Sequence, residues 1–213
     1  MNFQIKAVIF DFDGLLFNTE PIWDKAYFEF IKIKNFKDID LGDTTGMGLR
    51  EFIELLQEHG LRGSTPKLVS EYREIFYKFF DEEKNVMMPG VLEILENVSS
   101  RKLVIALTSG GHTGEKLQEM LGRYGILNFF SVIISSDDVN HGKPAPDVYF
   151  EAVKQLGVKP LNCIALEDSV NGVKSAVCAG IKVYGVNADE EVRNDLIKAG
   201  SNDVYSSLSE IGL

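Results

Sequence analysis

Cysteine and histidine are scarce in this sequence: Cys163 and Cys178, and His59, His112 and His141, among 213 residues. Two cysteines set in apolar runs cannot staple a secreted scaffold, and they predict buried free thiols in a reducing compartment. The histidines are too scattered for local zinc-ligand spacing, and neither HExxH nor a pair of CxxC motifs occurs, which argues against a zinc enzyme. Positive charge is in deficit as well. The 22 Lys and Arg face 32 Asp and Glu, a net charge of −10, with no run of five basic residues, a balance that repels nucleic acid phosphates and anionic lipid. An uninterrupted apolar stretch of ~18 residues is missing. The start, MNFQIKAVIFDFDG, lacks the basic end, long apolar segment and cleavage site of a signal peptide. The expectation is a cytoplasmic chain whose partner is a small molecule rather than nucleic acid or membrane, with the oligomeric state open, a monomer included.

What the sequence does have is a core: 45% of the residues are hydrophobic and 25% charged, an ordinary globular balance. Short β-branched and aromatic runs at Ile5 to Phe10, Leu103 to Leu107, Val132 to Ile134, Cys163 to Leu166 and Ile181 to Val186 predict strands buried on both faces. Helix-period segments lie between and after them, at Gly90 to Asn97, Thr113 to Tyr124, Asp147 to Leu156, Val170 to Ala179 and Glu190 to Ala199. That alternation predicts an α/β fold, a Rossmann-like parallel sheet with helices on both faces. Residues 15–87 break the rhythm, with helical patterns at Ile22 to Ile33, Gly48 to His59 and Pro66 to Phe80 and no strand-like run. They are expected to form an all-helical domain inserted into a core made of residues 1–14 and 88–213. The polar stretch Asn35 to Asp43 is expected to be a loop, with Asp38 and Asp40 solvated.

Open parallel sheets bind ligands beyond the carboxyl ends of their strands, so the residues at those ends matter most. They are Asp11-Phe12-Asp13-Gly14, Thr108-Ser109-Gly110-Gly111, Ser135-Ser136-Asp137-Asp138 and Glu167-Asp168-Ser169, with Gly142-Lys143-Pro144 following the third. Taken singly, the aspartates, Thr108 and Ser109 could be turn or helix-cap residues, and Lys143 a surface lysine. Together they suit phosphoryl transfer. Crowded carboxylates repel one another and a hard divalent cation relieves that repulsion. A carboxylate can attack phosphorus, while Lys143, the Thr108 hydroxyl and the amides after it can steady the transferring charge. A second carboxylate two residues away can move the protons of both half-reactions.

The segments DFDG, TSG, GKPAPD and EDSVNGVKSA, in this order, resemble the motif set of the haloacid dehalogenase superfamily. The likeness is to the branch with a helical cap inserted after the first motif, which includes sugar phosphatases, phosphoglycolate phosphatases and β-phosphoglucomutases. It spans essentially the whole chain. The resemblance implies Asp11 as nucleophile and Mg²⁺ ligand, and Asp13 as general acid/base that also offers its backbone carbonyl to the metal. It implies Thr108 as phosphate-binding hydroxyl, Lys143 as the cation beside nucleophile and phosphate, Asp168 as a metal carboxylate and Glu167 as an auxiliary one. Substrate would be met by Ser109 and Gly110 and, from the cap, by Glu20, Trp23 and Arg50. Two departures stand out: Asn18 replaces the aspartate that usually continues the first motif, and Trp23 stands where β-phosphoglucomutases tend to place a histidine. The implied activity is Mg²⁺-dependent hydrolysis of a small phosphate monoester, of the sugar or nucleoside phosphate class, through an aspartyl phosphate. A sugar phosphomutase is the alternative, and a non-catalytic phosphate-binding regulator a more remote one.

Overall fold

The computed structural model describes residues 4–213. The five apolar runs form β1 (Ala7–Asp11), β2 (Val104–Ser109), β3 (Val132–Ser135), β4 (Cys163–Glu167) and β5 (Lys182–Val186). The first four reach one or two polar residues past the apolar stretch, so Asp11, Ser109, Ser135 and Glu167 are strand residues held by the sheet. A sixth strand, β6 (Asp203–Tyr205), was not expected. It is three residues long, carries no apolar run, and owes its conformation to pairing with β5, Tyr184 opposite Asp203.

All pairings are parallel, in the order β3-β2-β1-β4-β5-β6. The chain winds outward from β1 in one direction and from β4 in the other, which opens a crevice at the carboxyl ends of these two central strands. The continuous hydrophobicity of β1 follows from its place. Val8 and Phe10 enter one buried cluster and Ala7 and Ile9 the other, because neighbouring side chains leave a strand on opposite faces. Helices α4 (Val91–Ser100) and α5 (Gly114–Arg123) cover the first face through Ile94, Leu95, Leu117 and Leu121. Helices α6 (Asp147–Leu156), α7 (Val170–Cys178) and α8 (Glu190–Ala199) cover the second through Val148, Ala152, Val173, Ala176 and Leu196.

Between β1 and α4 the chain forms α1 (Glu20–Ile33), α2 (Leu49–Glu58) and α3 (Thr65–Glu82). Ile22, Ala26 and Phe30, spaced four apart on α1, bury one stripe with Ile53 and Leu56 of α2 and with Leu68, Tyr72, Phe76 and Phe80 of α3, as amphipathic helices of this period must. Pro21 and Pro66 lie in the first turns of α1 and α3, where a missing N–H costs nothing. The two chain crossings that join these helices to the sheet lie side by side. The Asn18 N–H donates to the Val86 carbonyl at 2.7 Å and the Met88 N–H to the Leu16 carbonyl at 2.9 Å.

Cys163 is buried in β4, but Cys178, at the end of α7, is exposed. The expectation of two buried thiols therefore holds for one only, because Cys178 falls on the outer side of its helix. Among the described residues no helix is long and apolar enough to cross a membrane.

Candidate active site

The crevice between β1 and β4 holds three carboxylates. Asp11 ends β1, Glu167 ends β4, and Asp168 follows it; all are buried, and an oxygen from each lies within 4.8 Å of the others. Asp168 presses so close to the turn after β1 that a Cβ on Gly14 would lie 1.9 Å from its Oδ2, and Gly14 also has φ +73°, so a side chain there is excluded twice over. Gly172 on α7 leaves room in the same way for Glu167, whose Oε2 would be 1.9 Å from an added Cβ. Helix capping, the ordinary role for acidic residues ahead of a helix, falls instead to Ser169, whose hydroxyl accepts from the Gly172 N–H at 3.1 Å.

Lys143 enters this cluster from the loop before α6. Its ammonium, fully buried, donates to Asp11 and, at 2.7 Å, to Glu167, which also accepts from the Tyr149 hydroxyl. Burial pushes the Asp11 carboxyl well above its usual range, against the pull of Lys143 and with the push of Glu167 and Asp13. Asp168 is pushed up likewise, by burial and then by Asp11 and Glu167. One ammonium among this many buried carboxylates leaves negative charge uncompensated. An all-oxygen donor set with excess charge fits a hard divalent cation, and Asp11, Glu167 and Asp168 could hold one.

Thr108 lies opposite Asp11 in the register of β1 and β2. Its hydroxyl is buried and has no hydrogen-bond partner. A buried hydroxyl left unpaired is costly, and here it stands beside Asp11 at the strand ends, where a phosphate oxygen would satisfy it. The helix cap that Thr108 or Ser109 could have supplied belongs to Thr113, which accepts from the Lys116 N–H. Ser109 instead donates to Asp13 Oδ2 at 3.3 Å and accepts from the Gly111 N–H.

Asp13 is held from several sides. Its Oδ1 accepts from the Thr19 hydroxyl at 2.8 Å and the Trp23 indole N–H at 2.9 Å, with His112 Nε2 at 3.0 Å. Burial opposes its charge, but His112 and the hydrogen bonds from His112, Trp23 and Thr19 prevail and bring the carboxyl down to about 2. His112 is fully buried, stacked on Trp23. In the sequence it was one of three scattered histidines, with nothing local to mark it.

A cavity of about 360 Å³ leads from Asp11 and Asp13 outward between sheet and helices, lined by Glu20, Trp23 and Gly110 among others. Ten of the eleven residues expected at the site thus converge: Asp11, Asp13, Glu20, Trp23, Thr108, Ser109, Gly110, Lys143, Glu167 and Asp168. Arg50 does not. It is exposed, outside the cavity lining, with its guanidinium 3.4 Å from the Asn140 carbonyl. Asp40 is exposed, as expected of a solvated residue, and also lines the cavity. Arg73 of α3, also unforeseen, is buried; it donates to the Gly111 carbonyl and, through two nitrogens, to Asp137 after β3. Its partners are 38 and 64 residues away in the chain, too remote for any local pattern.

Residues 8–186 match the haloacid dehalogenase-like hydrolase family. The chain is 31% identical over 212 residues to hexitol phosphatase B of Escherichia coli O157:H7, covering 98% of this chain and 95% of that protein. It is 32% identical over 205 residues to a phosphorylated carbohydrates phosphatase of Thermotoga maritima, 92% of each chain being covered. Among solved structures, a β-phosphoglucomutase from Clostridium difficile superposes with a TM-score of 0.83 at 26% identity, over 99% of this chain and 94% of the other. Fold, motif order and matched length agree, and the chain belongs to the haloacid dehalogenase-like hydrolase family.

Proposed function

We propose that this chain hydrolyses the phosphate monoester of a small metabolite, of the sugar or nucleoside phosphate class, in the cytoplasm. The observation that carries the reading is the pairing of Asp11, buried against Lys143, with the unsatisfied Thr108 hydroxyl beside it in the sheet register. Together they set a carboxyl nucleophile, which a bound divalent cation would keep ionised, beside a hydroxyl free to bind a phosphate oxygen. The relatives named phosphatases, at 31% and 32% identity over nearly the whole chain, support the same chemistry.

In this mechanism an Asp11 carboxylate oxygen attacks phosphorus and the bond to the leaving alcohol oxygen breaks. Asp13 gives that oxygen its proton. A water then attacks phosphorus, gives a proton to Asp13, and releases inorganic phosphate and free Asp11. Thr108, the backbone at Ser109 and Gly110, and Lys143 hold the phosphoryl oxygens through both steps. Mg²⁺, bound by Asp11, Asp168, Glu167 and the Asp13 carbonyl, would neutralise charge on nucleophile and phosphate. As found, Asp13 is an anion held by Thr19, Trp23 and His112. To act as an acid it must leave these partners, take up a proton and turn toward the leaving oxygen.

Residues 15–87 serve in this reading as a cap that reads the rest of the substrate and excludes water, swinging on the paired crossings at 16–18 and 86–88. The likeness to a β-phosphoglucomutase structure favours a second reading, a mutase that shields its aspartyl phosphate from water. Trp23 at the position of the mutases' histidine weighs against it.

The test is a phosphate-release screen over sugar phosphates, nucleotides, phosphoglycolate and pseudouridine phosphate, with Mg²⁺ and with EDTA. Release that needs Mg²⁺ and disappears in a folded Asp11→Asn variant supports the proposal. Activity in that variant within tenfold of the parent overturns the nucleophile, and interconversion of glucose 1-phosphate faster than phosphate release establishes the mutase.

A further inference from the structure

The charge of the cavity wall bears on which phosphate monoester the site accepts. At the floor are Asp11 and Asp13; farther out, Glu20 and Asp24 of α1 and Asp40 of the following loop line the space, together with aromatic rings such as Tyr27 and Phe52. Among the described residues that line it there is no lysine, arginine or histidine. The two arginines nearest in the sequence to the cavity-lining segments are engaged elsewhere, Arg50 at the Asn140 carbonyl and Arg73 at Asp137 and the Gly111 carbonyl. Lys143 is buried beneath the floor on Asp11 and Glu167. The Glu20 carboxyl is pushed up to about 7, first by burial and then by the charges of Asp13, Asp24 and Asp43.

A substrate phosphate seated at Asp11 therefore places the rest of its molecule in a pocket with negative walls and no cation to receive a second anion. Anions in such a pocket meet repulsion that water and salt screen most at the exposed Asp24 and Asp40 and least at half-buried Glu20 and Asp13 and buried Asp11. Hydroxyl groups meet acceptor carboxylates, and sugar ring faces meet aromatic rings.

We propose that the site selects phosphate monoesters whose alcohol is neutral or carries an ammonium group, and rejects those bearing a second phosphate or a carboxylate. The inference rests on the phosphatase reading and narrows it: neutral hexose and hexitol phosphates and amino sugar phosphates fall inside, bisphosphates and phosphorylated sugar acids outside. Rejection is an active property of the wall, since discrimination by unfavourable charge is as effective as added contacts.

The experiment compares kcat/KM for glucose 6-phosphate, glucosamine 6-phosphate, 6-phosphogluconate and fructose 1,6-bisphosphate, with an aryl phosphate as a probe of chemistry alone. The expected result is that both of the first pair exceed both of the second by tenfold or more. The Asp24→Asn/Asp40→Asn double variant should narrow that ratio at least threefold without an equal change on the aryl phosphate. A smaller preference, a reversed order, or a ratio unmoved in the double variant overturns the proposal. Affinities of the same four compounds for Asp11→Asn, measured by calorimetry, must follow the same order. They decide the inference even if no compound is turned over, whereas absence of release from every compound, the aryl phosphate included, overturns the phosphatase reading itself.

Discussion

Arg73 offers a measurement of how firmly the inserted helices are held on the sheet. Its side chain is 10% exposed, against 43% for Asp137. It makes three contacts: Nε to the Gly111 carbonyl at 2.8 Å, Nη1 to Asp137 Oδ2 at 2.7 Å and Nη2 to Asp137 Oδ1 at 2.9 Å. Replacing it with methionine keeps the apolar stem and removes the charge and all three bonds. Breaking a fully buried pair by removing one partner costs about 3–5 kcal/mol. Because water can reach the abandoned Asp137, the pair should cost nearer 2 kcal/mol, and the deserted Gly111 carbonyl about 1 kcal/mol more. These contacts tie α3 to the segments after β2 and β3, so under the proposed cap motion the loss falls on the closed arrangement. A penalty of about 2–3 kcal/mol on closure corresponds to a roughly 30- to 150-fold fall in kcat/KM. The assay is a double-mutant cycle of Arg73→Met and Asp137→Asn on kcat/KM, repeated with urea midpoints. A coupling energy near 2 kcal/mol is expected in the kinetics. Coupling below about 0.5 kcal/mol would mean that the pair holds nothing closed, and the reasoning would fail.

The remaining predictions concern the acidic cluster. Lys143→Met leaves Asp11 and Glu167 buried without their cation and should destabilise the protein by about 3–5 kcal/mol near pH 8. Lys143 is itself held protonated, its pKa pushed well up by Asp11 and Glu167 against the cost of burial, so the parent has this stability throughout the neutral range. The variant should regain part of the loss at pH 5, where Asp11, its carboxyl pushed up by burial, can take up a proton; urea midpoints that differ from the parent's equally at both pH values would contradict this. Glu20, whose carboxyl sits at about 7 rather than 4.5, chiefly through burial and then through Asp13, Asp24 and Asp43, favours folding relatively below pH 4.5 and penalises it as pH rises through 7. Glu20→Gln should therefore stabilise by about 2 kcal/mol at pH 8, after discount for its partial exposure, and by almost nothing at pH 4. The same gain at both would refute it. With metal, Mg²⁺ should restore activity lost to EDTA and Ca²⁺ should inhibit, because Ca²⁺ accepts more oxygens at longer distances and would engage both oxygens of Asp11, leaving neither free to attack; full turnover in Ca²⁺ would count against Asp11 as both ligand and nucleophile.

Much of the core was legible along the chain because its causes are local or periodic. Doubly buried strands demand unbroken apolar runs, and β1, β2, β3, β4 and β5 display them; the glycines, hydroxyls and carboxylates that follow these runs must then gather at one sheet edge, whatever the details. β6 could not be read in this way, since Asp203, Val204 and Tyr205 carry no such run and become a strand only by pairing with β5. The placing of β1 beside β4, which brings Asp11 to Glu167 and Asp168, is a matter of winding direction, and no residue pattern records it. Three assignments depended on how the inserted helices lie over the sheet. His112 meets Asp13 across 99 residues and Arg73 meets Asp137 across 64, while Arg50, suited by type to greet an anion, turns to the Asn140 carbonyl and leaves the cavity wall acidic. The sequence by itself determined the sheet's apolar strands and the chemical groups at their ends. Tertiary structure alone decided which charges face the substrate, because side chains on separately folded helices acquire their neighbours only when those helices come to rest on the sheet.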